Sequence, residues 1–224
     1  MQENIWENEY KNPKLISLSS EPAMCIKDFV RFLKRDQKIE LSNLNILDLG
    51  CGNAKNSNYI AEQGINNRLV GIDISETAIK YAEKQFPNWK FIKGDIGKIM
   101  PFKNEYFDII LDITSSNSLT EKERMICLKE IQRVMKKGGY LFIRTLCKDG
   151  DKNAKNLLKS NPGKEKDTYI MPGINLTEKV WSKDDLLNYY SDFELLYLEK
   201  ETHYTRFNGK SYKRNFWIAC FIKK

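Results

Sequence analysis

The feature that most constrains this chain is a short apolar segment, residues 44–49, that ends in an acidic residue and a pair of glycines. The segment reads Leu-Asn-Ile-Leu-Asp-Leu, and Gly50, Cys51 and Gly52 follow it directly. An apolar run of this length bounded by glycine is typical of a buried strand. Glycine allows a sharp turn from strand to helix and lets a ligand approach the backbone closely. The segment therefore predicts a strand–turn–helix unit with a candidate binding site at the turn.

The same alternation continues through the middle of the chain. Apolar strand-like segments alternate with amphipathic helix-like segments, and this order predicts parallel βαβ units. We therefore expect an α/β fold with a doubly wound sheet. The predicted strands cover residues 44–49, 68–73, 89–93, 106–113 and 140–146, and the helices between them cover 53–63, 76–86 and 121–137.

The regions that flank this core complete a single predicted domain over residues 1–224. An amphipathic helix is expected at 23–34, and Ser182 is a natural N-cap for a helix over 183–190. Strands at 193–200 and 215–223 would form a terminal antiparallel pair. The polar segment 148–180 contains Asn-Pro-Gly and Met-Pro-Gly and is predicted as a long loop. The predicted division is a helical cap over 1–41, a cofactor-binding core over 42–147, a lid or substrate loop over 148–181, and a C-terminal helix and strand pair over 182–224.

Composition excludes several classes of protein. Of the 224 residues, 41% are hydrophobic and 30% are charged, which is typical of a soluble globular domain. No apolar run approaches the ~20 residues of a membrane span, and the acidic N-terminus lacks the apolar core of a secretory signal. The five cysteines contain no Cys-x-x-Cys pair, which favours reduced thiols over disulfides or a zinc site. We expect a cytoplasmic protein with no metal and no membrane partner.

The net charge of +7 is weaker evidence about partners. A basic balance can indicate an acidic partner such as nucleic acid. Here the charge is divided among three regions, with net values of 0 over residues 1–40, +3 over 41–147 and +4 over 148–224. We interpret most of it as solvated surface.

An acidic residue at the end of the second predicted strand adds a binding signal. Asp73 follows Gly50 by 23 positions, and a carboxylate at that offset accepts hydrogen bonds from ribose hydroxyls. The two signals together predict an adenosine-containing cofactor, although the glycines alone could form a tight turn without a ligand. The dinucleotide pattern G-x-G-x-x-G would need glycine where Lys55 stands, and no P-loop occurs. The alternative pattern, acidic-x-G-x-G-x-G, is matched by Asp48, Gly50 and Gly52, with Ala54 in the last place.

Four segments in order resemble the class I S-adenosylmethionine-dependent methyltransferases. They are residues 46–57 (ILDLGCGNAKNS), 69–86 (LVGIDISETAIKYAEKQF), 91–116 (FIKGDIGKIMPFKNEYFDIILDITSS) and 130–145 (EIQRVMKKGGYLFIRT). The resemblance covers residues 44–146 and, more loosely, the whole chain. It implies a Rossmann-like, three-layer αβα fold with a seven-stranded sheet whose last strand is antiparallel.

The resemblance also implies roles for individual residues toward S-adenosylmethionine, with S-adenosylhomocysteine as the product. Each carboxylate has an alternative structural role, in satisfying turn amides or capping a short helix. Ala54 departs from the glycine of many members. The implied cofactor-binding residues are Asp48, Gly50, Cys51, Gly52 and Asn53 at the methionine part, Asp73 at the ribose, Ile74, Asp95 and Ile96 at the adenine, and Asp112 beside the methionine end and the substrate. Trp6 and Tyr10 resemble an N-terminal Trp-x-x-x-Tyr segment that closes over the cofactor in several small members.

Methyl transfer from a sulfonium is an in-line displacement, so alignment matters more than any one catalytic residue. A general base is needed only for an acceptor that arrives protonated. The candidates are Asp112, His203 and Tyr204; His203 is the only histidine and follows a predicted strand. The segment after Asp112 reads Ile-Thr-Ser-Ser-Asn and lacks the Asn/Asp-Pro-Pro-Tyr/Phe element, which disfavours methylation of DNA adenine or protein glutamine. Thr114, Ser115, Ser116 and Asn117 would instead offer hydroxyl and amide partners to a substrate.

The identity of the acceptor stays open at this level. We expect a small-molecule acceptor, because no further RNA- or protein-binding domain is recognised and a lid-sized loop is present. Protein lysine methylation is an alternative, and a protein or RNA acceptor is not excluded. A non-catalytic cofactor-binding subunit that activates a partner is a second alternative. An NAD-dependent oxidoreductase is disfavoured by Lys55.

Overall fold

The computed structural model describes residues 2–16, 18–207 and 210–224. The elements are numbered in chain order. The helices are α1 (Gln2–Lys11), α2 (Met24–Arg35), α3 (Lys55–Ala61), α4 (Glu76–Gln85), α5 (Glu121–Val134), α6 (Lys152–Ser160) and α7 (Lys183–Tyr189), with a 3₁₀ turn at Ser116–Ser118. The strands are β1 (Asn45–Leu49), β2 (Arg68–Asp73), β3 (Lys90–Lys93), β4 (Phe107–Ile113), β5 (Met135–Leu146), β6 (Thr168–Met171), β7 (Leu176–Lys179), β8 (Phe193–Phe207) and β9 (Lys210–Lys223).

Seven strands form the central sheet in the order β3-β2-β1-β4-β5-β9-β8. The strands β1 to β5 are parallel, whereas β9 is antiparallel to both β5 and β8. The predicted doubly wound, seven-stranded sheet with an antiparallel last strand is therefore confirmed. Because the strand order reverses between β1 and β4, the chain leaves a crevice at their carboxyl ends, where ligands bind in folds of this type.

Helices cover both faces of the sheet, so the fold has the expected three layers. Neighbouring residues of β1 point to opposite faces: Ile46 packs in one apolar core and Leu47 in the other. The first core also contains Phe29 of α2, and the second contains Ile131 of α5. Both faces are buried, which explains why β1 and β4 are mostly apolar and do not alternate with polar residues.

The sequence predicts a long loop at residues 148–180, but these residues form regular secondary structure. They contain α6 and the hairpin of β6 and β7 rather than a long loop. The side chain of Asp151 caps α6 by accepting a hydrogen bond from the Ala154 amide at 2.7 Å. Tyr169 and Leu176 of the hairpin are fully buried in the first core. The proline–glycine pairs mark turns within this insertion, and Gly173 takes a φ of +84° between the two strands.

The C-terminal hairpin is longer than the sequence predicted. Strands β8 and β9 pair from Phe193 to Phe207, whereas β5 pairs with β9 only as far as Leu146 opposite Phe216. Residues 202–207 and 210–215 therefore extend past the end of β5, and we call them the outer ribbon. The predicted helix 121–137 ends earlier, at Val134, because β5 begins at Met135.

None of the helices within the described ranges combines the length and the apolar character needed to cross a bilayer.

Candidate functional site

The turn after β1 is built around two glycines with left-handed backbone conformation. Gly50 has φ +64° and Gly52 has φ +56°. A Cβ atom on Gly50 would lie 2.5 Å from the Ser115 Cβ, and one on Gly52 would lie 2.5 Å from the Tyr10 hydroxyl. Both sites thus require glycine for conformation and for space. Ala54 takes φ +57° as the residue before α3, so the methyl group that departs from the family pattern is accommodated in a strained conformation.

Asp73 links this turn to the end of β2. Its Oδ2 accepts a hydrogen bond from the Gly52 amide at 2.9 Å, and its Oδ1 accepts one from the Ser75 amide at 2.9 Å. Burial raises the pKa of Asp73 to about 6, against the effect of these backbone hydrogen bonds. Each carboxylate oxygen retains a lone pair for a further donor, such as a hydroxyl group of a ligand.

The carboxyl ends of β1, β2 and β4 enclose a cavity that α1 covers. Six of the sequence-predicted site residues line it: Tyr10, Gly50, Asp73, Ile74, Asp95 and Ile96. Trp6 lines it as well, as the N-terminal Trp-x-x-x-Tyr segment predicts. The remaining lining residues are Gln2, Ile16, Gly94, Ile113, Thr114, Ser115, Ser118 and Leu119. The cavity is thus polar at Asp73 and Asp95 and apolar between them and at the Ile16 and Ile113 end.

Other predicted residues lie behind the cavity wall. Asp48 is buried, and burial raises its pKa to about 7, with the nearby carboxylates of Asp73 and Asp112 adding to the shift. Burial likewise raises the pKa of the Cys51 thiol. The Asn53 side chain donates a hydrogen bond to the Ser19 carbonyl at 3.0 Å and so holds the segment after α1. These residues support the turn from behind.

Asp112 organises the segment that follows β4. Its Oδ1 accepts hydrogen bonds from the Ser115 hydroxyl at 2.6 Å and from the Ser116 amide at 3.1 Å. Its Oδ2 is buried without a hydrogen-bond partner among the described residues. Thr114 takes φ +55° and turns the chain so that Thr114 and Ser115 reach the cavity, whereas Asp112 itself does not line it.

Helix α1 is fastened over the cavity by Glu7. The Glu7 carboxylate accepts hydrogen bonds from the Ser75 hydroxyl at 2.7 Å, the Thr77 hydroxyl at 2.6 Å and the Thr77 amide at 3.1 Å. It thereby caps the N-terminus of α4, where a negative charge is favourable. The Thr77 hydrogen bonds, followed by those from Ser75 and Lys11, lower the pKa of Glu7 to about 2.

Two residues at the far end of the cavity were missed by sequence reasoning. The Gln2 side-chain amide donates a hydrogen bond to the Ser118 carbonyl, while Gln2 Oε1 and Ser118 Oγ are buried without partners among the described residues. They lie 116 positions apart in the chain and belong to no motif. The only available signal was the order of elements, which brings the loop after β4 and the N-terminal segment to the same sheet edge.

The structure does not bring His203 and Tyr204 to the cavity. Both are exposed on the outer ribbon, where they pair in register with Arg214 and Lys213, and Tyr204 is 65% exposed. Their candidacy as catalytic residues stays a prediction.

The described part of the chain contains no group of three or more His, Cys, Asp or Glu side chains able to hold a metal ion.

Comparison with known proteins identifies the family to which this site belongs. The model of a family described as a methyltransferase domain matches residues 40–194. The chain belongs to the class I S-adenosylmethionine-dependent methyltransferases. Its cofactor is accordingly S-adenosylmethionine.

Individual relatives share about a third or less of their aligned residues with this methyltransferase. The phthiotriol/phenolphthiotriol dimycocerosates methyltransferase of Mycobacterium leprae is 31% identical over 138 residues, which cover 61% of this chain and 50% of that protein. A methyltransferase structure from Methanosarcina mazei has TM-score 0.70 and 23% identity over 84% of this chain and 97% of that one. A second structure is the 1,6-didemethyltoxoflavin-N1-methyltransferase of Burkholderia thailandensis, solved with 1,6-didemethyltoxoflavin and S-adenosylhomocysteine. It has TM-score 0.67 and 12% identity, and the match covers 100% of this chain and 87% of that one. The chain spans about half the length of the curated relatives it matches.

The cavity offers groups that suit this cofactor. Gln2 Oε1 and Ser118 Oγ have no hydrogen-bond partner among the described residues, and both side chains line the cavity with Ile74, Ile96 and Leu119. An exocyclic amino group of adenine would supply a donor to these two oxygens. Asp73 ends β2, which lies between β3 and β1 in the sheet, so a ribose at Asp73 would stand between an adenine near the end of β3 and a methionine part near Gly50.

Proposed function

We propose that this protein transfers a methyl group from S-adenosylmethionine to a small-molecule acceptor. The observation that carries the proposal is the cavity itself, whose lining runs from Gly50 to Ile113 and Thr114 at the end of β4 and includes Trp6 and Tyr10 of α1. A cover of this kind favours an acceptor small enough to be enclosed. The Burkholderia relative, whose structure holds a small acceptor, supports the same interpretation.

Each end of the cofactor has its own set of proposed contacts. Asp73 would accept hydrogen bonds from the ribose hydroxyls, and Ile74 and Ile96 would pack on the two faces of the adenine. Asp95, Gln2 and Ser118 would surround its amino group. The backbone at Gly50, with Asp48, Cys51, Gly52 and Asn53 supporting the turn from behind, would hold the methionine part, and Asp112 would act there through the position of Ser115.

The sulfonium of the cofactor supplies a methyl group that is already activated for displacement. The protein then has to align the acceptor atom with that methyl group and exclude water. Trp6 and Tyr10 of α1 cover the cavity, so they are suited to excluding water. Tyr10 is buried, and burial raises its pKa, so its hydroxyl stays protonated and able to donate a hydrogen bond.

Calorimetric titration tests the cofactor part of this proposal. We expect S-adenosylmethionine and S-adenosylhomocysteine to bind in the micromolar range, NAD not to bind, and the Asp73→Ala variant to lose at least tenfold in affinity. Absence of binding by both sulfur ligands would overturn the assignment of the cavity.

Incubation with methyl-labelled cofactor tests the acceptor. The purified protein is mixed separately with the metabolite, lipid, protein and RNA fractions of a cell extract. We expect label in the metabolite or lipid fraction. Label only in protein or only in RNA would contradict a small-molecule acceptor.

We also propose a cytoplasmic location. The five cysteines, Cys25, Cys51, Cys127, Cys147 and Cys220, are all unpaired and buried, which suits a reducing compartment. Fractionation of cells that carry a tagged chain would test this.

A further inference from the structure

Two segments of the chain carry positive charge and contain no acidic residue. Residues 152–164 carry four lysines, and residues 202–214 carry two lysines and two arginines. These eight of the 37 Lys and Arg residues lie in α6, in the loop that follows it and in the outer ribbon.

These two segments meet in the fold. Asp151, the N-cap of α6, forms an ion pair with the Arg214 Nε at 3.3 Å and accepts a hydrogen bond from the Asn215 amide at 2.7 Å. Arg214 is buried and also donates to the Tyr169 hydroxyl at 2.8 Å, so its charge is used inside the protein. The junction fixes α6 against the base of the outer ribbon.

Six lysines of these two segments are exposed and have no carboxylate within 4 Å among the described residues. Four lie on α6 and the loop after it, and two lie on the outer ribbon, where Lys213 is on the face opposite the buried Arg214 because neighbouring residues of a strand point to opposite faces. We call them the lysine patch: Lys152, Lys155, Lys159, Lys164, Lys210 and Lys213. The first three follow one another at spacings of three and four residues and therefore form one stripe along α6. The opposite side of α6 packs on the core through Ala154, Leu157 and Leu158. The lysines are thus presented outward by a helix whose apolar side is already covered.

The patch lies at the edge of the sheet where the cofactor cavity opens. Strand β8 runs parallel to β5, because both are antiparallel to β9, so the outer ribbon projects beyond the carboxyl ends of the parallel strands. The insertion that carries α6 also contains Ile174. Ile174 and Ile5 of α1 line the same groove, so the insertion lies beside the helix that covers the cavity. The lysine patch and the cavity cover therefore belong to the same end of the molecule.

Two exposed apolar side chains accompany the lysines. Tyr204 of the outer ribbon is 65% exposed and pairs in register with Lys213. Ile170 of β6 is 37% exposed, and its amide donates to the carbonyl of Asn161 at the end of α6. Lysines around an exposed tyrosine and an aliphatic side chain suit a surface that is negatively charged outside and apolar beneath. The acceptor end of the cavity is itself apolar, with Ile16 and Ile113 in its walls.

We propose that the lysine patch binds the surface of an anionic lipid bilayer and brings the cavity to a lipid-soluble acceptor. This inference builds on the proposed methyl transfer and names the class of its acceptor. It replaces the expectation of no membrane partner with contact at the bilayer surface, which needs no spanning helix. The exposed Tyr204 and Ile170 that accompany the lysines favour a bilayer, whose interface accepts aromatic and aliphatic side chains, over nucleic acid.

Co-sedimentation of the full chain with lipid vesicles tests the proposal. Vesicles of phosphatidylcholine with about one third phosphatidylglycerol are compared with phosphatidylcholine alone, at about 0.05 and 0.5 M NaCl. We expect binding to the anionic vesicles at low salt, release at high salt and no binding to neutral vesicles. Equal binding to both kinds of vesicle, or no binding to either, would overturn the proposal.

Charge-neutralising variants locate the binding surface. We expect the triple substitution Lys152→Gln, Lys155→Gln, Lys159→Gln to weaken anionic-vesicle binding at least tenfold. The matched control is Lys103→Gln, Lys129→Gln, Lys137→Gln, three exposed lysines before β4, on α5 and at the start of β5; α5 packs on the other face of the sheet. The control is expected to stay within twofold of wild type. Equal loss in both triples would contradict a specific patch. The pair Lys210→Gln, Lys213→Gln repeats the test on the ribbon should the α6 variant fold poorly.

Two further measurements distinguish bilayer binding from nucleic-acid binding and from a failure of the proposed methyl transfer. Addition of poly(U) RNA tests the nucleic-acid alternative, because RNA that binds tighter than the vesicles and displaces them would overturn the bilayer assignment. Titration of the same preparations with S-adenosylhomocysteine tests the cavity. If the protein binds S-adenosylhomocysteine but not anionic vesicles, the bilayer proposal is wrong and the proposed function stands. If the protein does not bind S-adenosylhomocysteine, the proposed function is wrong.

Discussion

Asp48 lies in an environment that opposes its charge. Burial raises its pKa to about 7, whereas an unfolded chain titrates near 4. The folded protein therefore holds an extra proton between about pH 4 and pH 7, and its free energy of unfolding falls as the pH rises through that window. We expect Asp48→Asn to be more stable than wild type by about 2–4 kcal/mol at pH 8 and nearly equal to it at pH 4.

Urea unfolding at both pH values measures this difference. Asp36→Asn, at an exposed aspartate after α2, is the control and should change little at either pH. The same difference between Asp48→Asn and wild type at pH 4 and pH 8 would show that Asp48 does not titrate in this window.

Ser118 offers a test of the cavity assignment that separates binding from folding. Its hydroxyl is buried without a partner among the described residues, so removing it leaves no new orphan group. We expect Ser118→Ala to keep or slightly increase the free energy of unfolding while weakening S-adenosylhomocysteine about 2- to 10-fold. Calorimetry with the adenosyl ligand and with its inosyl analogue, which lacks the amino group, measures the effect. If Ser118→Ala binds both ligands as wild type does, the hydroxyl does not recognise that amino group.

At the scale of elements, the Glu7 carboxylate is one of the contacts that hold α1 over the cavity, beside the hydrogen bond between Gln2 and Ser118. Glu7 bonds to Ser75 and Thr77 at the start of α4, whereas Glu3 on the same helix forms a half-exposed ion pair with Lys93 at 2.8 Å. Surface ion pairs contribute about 0–1 kcal/mol, so Glu3 is a matched control. We expect Glu7→Gln to increase proteolytic cleavage near α1 and to weaken cofactor binding severalfold, and Glu3→Gln to do neither.

The pH dependence of this contact has a defined sign. The Glu7 pKa is lowered to about 2 in the folded protein, so its contribution is complete above the unfolded value of 4.5 and is lost as the pH falls from there toward 2. Wild-type α1 should therefore become protease-sensitive in that acid range, with an acid-active protease such as pepsin as the probe. Cleavage that is equal for Glu7→Gln and wild type at neutral pH would contradict the role of Glu7.

The elements that the sequence predicted well are those with a strong local signal. Strands β1, β2 and β4 are buried on both faces and are mostly apolar, and the caps at Ser75 and Ser182 accept the expected backbone hydrogen bonds. The insertion escaped prediction because its burial depends on tertiary contacts. Tyr169 is satisfied by Glu178 and Arg214, and the latter lies 45 residues away. The short strands around Met-Pro-Gly therefore carried no periodicity that could reveal them.

At the scale of the whole molecule, the candidate site assembles from segments that are distant in sequence. Gln2, Asp73, Asp95 and Ser118 line one cavity because the carboxyl ends of β1, β2, β3 and β4 meet at one sheet edge and α1 lies across them. The motifs predicted the glycine turn and the two carboxylates. They could not predict Gln2 or Ser118, because a side chain that fills a cavity from another segment leaves no local pattern.

This assembly predicts that cofactor binding stabilises the molecule as one unit. A ligand that binds only the folded state at about 100 times its dissociation constant adds about 2.7 kcal/mol to the free energy of unfolding. We expect saturating S-adenosylhomocysteine to raise the melting temperature and to slow amide hydrogen exchange in α1 at least tenfold, because Trp6, Tyr10 and Gln2 all line the cavity. Exchange in the outer ribbon, which lies outside the cavity lining, should not change. At the same ligand concentration, the tenfold weaker affinity of Asp73→Ala should reduce the added free energy of unfolding to about 1.4 kcal/mol or less. A higher melting temperature without protection of α1 would show that the cofactor binds beneath a helix that takes no part in holding it.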